Sequence, residues 1–118
     1  MPFDEALADR IRCHFESRGI AFEAKPMMGC LCFMVDGKMC VAARQSDLML
    51  RLDPEQRDAH LQEPGCRPME LHGRRMKGFV WVSLDVIESE KEFQRWMQRA
   101  LDFNPQAKAS PKSKRPRR

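Results

Sequence analysis

A chain of 118 residues, 42% apolar and 32% charged, is long enough to bury one core and too short for two, and its composition excludes a fibrous or wholly disordered polymer. The longest unbroken apolar run, Cys30 to Val35, falls far below the roughly 20 residues that a membrane-spanning helix takes, so that class is excluded as well. Six of the 21 bases lie after Asn104 and none of the 17 acids does, so residues 1–104 hold 15 bases against 17 acids and the net charge of +4 belongs to the C-terminal stretch.

Phe3, Leu7, Ile11 and Phe15 recur every four residues between charged neighbours, which predicts an amphipathic helix stopped by Gly19. Ile20, Phe22 and Ala24 alternate as a strand does until Lys25-Pro26. Two apolar strands follow, Cys30 to Val35 and Lys38 to Arg44, joined by Asp36-Gly37, a dipeptide suited to a type I′ turn with positive φ at both positions. A two-residue turn sets Val35 opposite Lys38, Met34 opposite Met39, Phe33 opposite Cys40 and Cys32 opposite Val41. One face of the ribbon then carries Cys30, Cys32, Met34, Met39, Val41 and Ala43, and the other Leu31, Phe33, Val35, Cys40 and Ala42. Neither face is polar, so cover is expected on both sides, from helices on one and from other chain segments or a second subunit on the other.

After a polar turn at Gln45-Ser46-Asp47, Leu48, Leu50 and Leu52 mark another strand. Asp53-Pro54-Glu55-Gln56 opens a short helix that ends before Pro64-Gly65. Arg67 to His72 and Lys77 to Leu84 read as two further strands, the first at a sheet edge because it contains Pro68. Ser89-Glu90-Lys91-Glu92 is a capping box, and Phe93, Trp96, Met97, Ala100 and Leu101 share one face of the terminal helix, which stops at Asn104-Pro105. The expected class is α+β, an antiparallel sheet with packed helices in the order α-β-β-β(-β)-α-β-β-α. The domain is expected over 1–104, with a disordered basic tail over 105–118 that has almost nothing apolar to bury.

Five cysteines without an export signal predict reduced thiols and a cytoplasmic protein. Cys30 and Cys32 lie on the same side of a strand, a spacing open to a soft metal or to thiol redox chemistry; with Cys40 on the opposite face and no histidine nearby, a zinc set is not expected and apolar packing is the favoured role. Cys13 and His14, adjacent on a helix, point about 100° apart and make no catalytic pair. His60 and His72 are expected at the surface. Arg74, Arg75 and Lys77 cluster near a turn, where charged residues are commonly just solvated. The better candidates for contact with a polyanion are the tail bases Lys108, Lys112, Lys114, Arg115, Arg117 and Arg118, which bind without reading sequence. No catalytic residue, cofactor or metal site is expected, and nine methionines suit either a core or an adaptable interaction surface.

Lys25-Pro26-Met27-Met28-Gly29, the run Phe33 to Met39, the Asp47 to Leu52 strand and the ending Trp96 to Leu101 together resemble the TfoX/Sxy N-terminal domain over roughly residues 5 to 103. The resemblance implies a compact α+β domain and a link to the regulation of natural competence, where full-length members act as transcriptional co-regulators. Those members carry a second, helical domain, whereas here a tail follows, so the resemblance implies the N-terminal domain standing alone. It brings no catalytic residues with it. The expected function is a non-enzymatic regulatory or protein-interaction module that binds a protein partner or itself. The alternatives are an accessory protein that holds nucleic acid non-specifically through its tail, and a cysteine-based redox sensor.

Overall fold

Glu5–Ser17 is a helix, α1, because Asp4 caps it: the Asp4 carboxylate accepts from the Leu7 amide at 2.8 Å, and Leu7, Ala8, Ile11 and Phe15 all face inward. The computed structural model that shows this describes residues 3–27, 29–71 and 73–107, without the side chains of Leu71, Arg74, Arg75 and Lys77. Six strands follow: β1 (Glu23–Met27), β2 (Cys30–Val35), β3 (Lys38–Ala43), β4 (Asp47–Arg51), β5 (Cys66–Leu71) and β6 (Arg74–Ser83). They form one antiparallel sheet in the order β1-β2-β3-β4-β6-β5. Between β4 and β5 lies α2 (Arg57–Leu61), entered through a 3-10 turn at Pro54–Gln56 that Asp53 caps by accepting from the Glu55 amide. After β6 come α3 (Leu84–Ile87) and α4 (Glu90–Phe103), the latter capped by Ser89. The α+β class and the element order are those expected from the sequence, apart from α3, a single turn where Leu84 had been placed in a strand.

All four described helices pack on one face of the sheet. Leu7, Ile11 and Phe15 of α1 and Phe93, Trp96, Met97 and Ala100 of α4 join Phe33, Val41, Leu48, Leu50, Val80 and Val82 in one buried cluster. Asn104 stitches the end of α4 to the hairpin, its side-chain amide donating to the Val35 carbonyl at 3.2 Å while Lys38 Nζ donates back to the Asn104 carbonyl at 3.3 Å. A second 3-10 turn, Asn104–Gln106, carries the packed body through the buried Ala107, three residues past the boundary drawn from the sequence.

Three expectations about the strands need correction. First, β1 does not break at Lys25-Pro26 but runs through it, pairing Pro26 with Leu31; β1 is an edge strand, where a residue without an N–H leaves no inner ladder unmatched. Ile20 and Phe22 precede the strand and pack on the core instead. Second, the hairpin register holds only for Val35↔Lys38 and Met34↔Met39; beyond them Phe33 pairs with Val41, Cys32 with Ala42 and Leu31 with Ala43. Cys40 is the extra residue of a β-bulge, which puts Cys40 and Val41 on the same, helix-covered side. Val41 and Ala43 therefore face the helices, and Ala42 faces away with Cys30 and Cys32. Third, Asp47 is no turn residue: it starts β4, is buried, and accepts hydrogen bonds from Arg67 and, at 3.3 Å, from Arg44.

The turn at Asp36-Gly37 is as predicted, with φ of 56° and 76°. A Cβ on Gly37 would meet nothing within 4 Å, so any cost of substitution there is backbone strain alone. Gly37→Val should destabilise by about 1–2 kcal/mol, because a β-branched residue fits positive φ badly. An unchanged urea midpoint would remove the turn from the determinants of the fold.

Candidate interaction face and sulphur-lined groove

On the side of the sheet that no described helix covers, a second cluster forms from Cys30, Cys32, Ala42, Met49 and Met69, with Met27, Met34, Met39, Met76, Phe79 and Trp81 packed around it. Strand alternation builds it. Across the sheet, Lys25 pairs with Cys32, Cys32 with Ala42, Ala42 with Met49, Met49 with Trp81, and Trp81 with Arg67, so one continuous row presents these side chains outward from the helices. Six of the nine methionines lie on this face. Among the described residues its centre is covered by neither another chain segment nor a helix but by the longer side chains of the same face, which leave Cys32 1% and Met49 3% exposed.

Within the cluster is a cavity of about 190 Å³ lined by Cys30, Cys32, Met39, Met49, Met69 and Met76, with Phe79 and Trp81 as its aromatic walls and Arg44 and Glu70 as its charged lining. Arg44 is fixed twice over, by Asp47 and by stacking 4.2 Å above the Trp81 ring. Burial pushes the Cys30 thiol up, with Arg44 opposing the shift. Cys32 is pushed up to about 11, by burial first and then by Cys30 beside it. Both are therefore protonated thiols at neutral pH. Cys40, on the other side of the sheet, is pushed up to about 12 by burial, and Cys66 to about 11.

The remaining candidates are dispersed. Cys13 is exposed whereas His14 is buried, its ring edge-on to Phe93 at 5.7 Å and its Nδ1 3.4 Å from Arg18, so the two neighbours occupy different environments. Burial, and then the Arg18 charge, lower the His14 pKa. His60, expected at the surface, is half-buried: it packs edge-on against Trp96 at 5.9 Å, and burial lowers its pKa too. His72, the side chains of Arg74, Arg75 and Lys77, and the tail bases Lys108, Lys112, Lys114, Arg115, Arg117 and Arg118 lie outside the described residues. Among the described residues, no group of three or more His, Cys, Asp or Glu side chains is placed to hold a metal ion, and no helix is long and apolar enough to cross a membrane.

A family model for the TfoX N-terminal domain matches residues 17–104. The chain belongs to this family. The match takes in the whole sheet and α4 but begins at the last residue of α1, although α1 supplies Leu7, Ile11 and Phe15 to the core of this TfoX N-terminal domain. No curated protein and no solved structure matches the chain. Reading the strands separately missed the groove itself, since Met69, Met76, Phe79 and Trp81 enter it from β5 and β6, up to some 50 residues away from Cys30 and Cys32; the signal available was the methionine count.

Proposed function

We infer that this TfoX N-terminal domain is a non-enzymatic regulatory module that works by protein association through the methionine-rich face of its sheet. The observation that carries the reading is the segregation of side chains: every described helix packs on one face, while the other gathers six methionines, Phe79 and Trp81. Methionine is unbranched and polarizable and adapts to differing apolar surfaces, so such a face suits association. The occupant argued for is a second copy, because every molecule in solution presents the same face and two of them bury one another isologously. Raised thiol pKa values speak against the redox-sensor alternative, since the thiolate is the reactive form. Buried, reduced thiols suit the cytoplasm.

The test is sedimentation of the full chain across the micromolar range, beside a Met34→Glu/Trp81→Glu variant that puts two carboxylates on the face. The expected result is a mass that rises with concentration for the natural chain and stays monomeric for the variant. A monomer at every concentration sinks self-association. A nucleic-acid role through the tail is favoured by the six bases beyond Asn104, and the packing of Ala107 dictates how to test it: a chain ending at Ala107, not at Asn104, removes the tail without opening the body. If the tail tethers duplex DNA, that truncation abolishes binding, and the full chain shows a log-log salt slope no steeper than about −5.

A further inference from the structure

We propose that the sulphur-lined groove is a binding site for Cu(I), held by the thiolates of Cys30 and Cys32 with thioether support from the surrounding methionines. This goes beyond the association reading and does not depend on it.

The geometry begins with the two cysteines. As residues i and i+2 of β2 they project to the same side of the sheet, their Cα atoms about 7 Å apart along the strand. Between Cys32 and Met49 the only intervening side chain in the row is the methyl group of Ala42, so two strands about 10 Å apart face each other across a gap that a long thioether can bridge. Met39, Met69 and Met76 line the same cavity of about 190 Å³, which brings six sulphur-bearing side chains around one space.

The donor set selects the ion. Among the described residues no third His, Cys or carboxylate joins Cys30 and Cys32 in a cluster that could supply the tetrahedral shell Zn²⁺ takes, and a lining dominated by thiol and thioether side chains suits Ca²⁺ and Mg²⁺ poorly. Thiolate and thioether are the soft ligands that favour Cu(I). Phe79, Trp81 and the methionines make most of the remaining lining apolar. Binding is written as Cu⁺ plus two thiols giving a dithiolate complex and two protons released to solvent, with copper remaining Cu(I) throughout. The complex carries one net negative charge, which Arg44 in the lining favours and Glu70 opposes. Protonated thiols are no obstacle, since metal binding displaces their protons, and affinity accordingly rises with pH.

The experiment is an anaerobic titration of the full chain with ascorbate-reduced copper in competition with bicinchoninate, whose coloured Cu(I) complex loses absorbance as the protein takes the ion. It is run in a Cys13→Ala background, so that the exposed thiol contributes nothing. The expected result is one equivalent of Cu(I) withdrawn per chain, about 100-fold weaker retention in Cys30→Ala/Cys32→Ala, and about tenfold weaker retention in Met49→Leu/Met76→Leu, which preserves volume and both thiols while removing two thioethers. Failure of the background chain to compete overturns the site, as does equal retention by the cysteine double variant. Retention unchanged in the methionine variant overturns the thioether ligands. None of these readings depends on the oligomeric state.

Discussion

Trp96→Ala is expected to cost about 3–5 kcal/mol, a large share of the roughly 5–15 kcal/mol that holds a domain folded. Trp96 is 0% exposed, sits on the inner face of α4 and is held between the His60 ring and the Arg99 guanidinium, which lies 4.5 Å from its centroid. Truncation removes the largest side chain of the helix-sheet interface and leaves a hole between α2 and α4, which cannot close without moving a helix. Trp96→Phe is the informative partner. Among the described residues the indole Nε1 has no hydrogen-bond partner, so the smaller ring gives up some packing but also rids the core of an unpaired donor. Its cost should be less than half that of the alanine variant. Urea unfolding of both reads the difference, and a loss below about 1.5 kcal/mol for Trp96→Ala would show that α4 is not the principal clamp on the sheet.

Gly65→Ala should be the most damaging of the small glycine substitutions, at about 2–5 kcal/mol from strain and overpacking together. Gly65 has φ +75°, and a Cβ there would stand 2.3 Å from Val86 Cγ2 and 2.9 Å from Ser83 Oγ. The contact is tight because the Gly65 carbonyl accepts from the Ser83 amide at 3.1 Å, pinning the approach to β5 against the exit from β6. Gly37→Ala shares the positive φ but has open space around it, so the difference between the two variants isolates the collision. Adding Val86→Ala to Gly65→Ala should recover most of that difference. If the two single variants prove equally stable, the close packing of Gly65 on α3 is not a constraint on the fold.

Most of the fold was legible because its signals are local. The caps at Asp53 and Ser89, the turn at Asp36-Gly37 and the apolar faces of α1 and α4 each sit within a few residues of what they determine. The edge position of β5 followed from Pro68 for the same reason. What escaped depends on partners distant in the chain. No local pattern marks Cys40 as the extra residue of a bulge: an uninterrupted apolar run satisfies either register, and only the fit of Val41 and Ala43 under the helices decides between them. Asp47 looked like a turn residue because Arg67, the base that helps to bury its charge, comes from a strand 20 positions later. His60 looked exposed until α4 brought Trp96 against it. The groove lay hidden for a related reason, since its sulphurs come from β2 to β6 and meet only when the sheet is assembled.

The two outer strands of the sheet share a device. At β1 the chain reads Lys25-Pro26 and at β5 Arg67-Pro68, a base followed by proline at each margin, with Lys25 and Arg67 at the two ends of the same cross-strand row. A neighbouring molecule that tried to add a strand at either margin would find a missing donor and a fixed positive charge where it needs an unbroken ladder. Growth of the sheet from molecule to molecule, the route by which β-rich proteins become fibrils, is thereby obstructed in both directions.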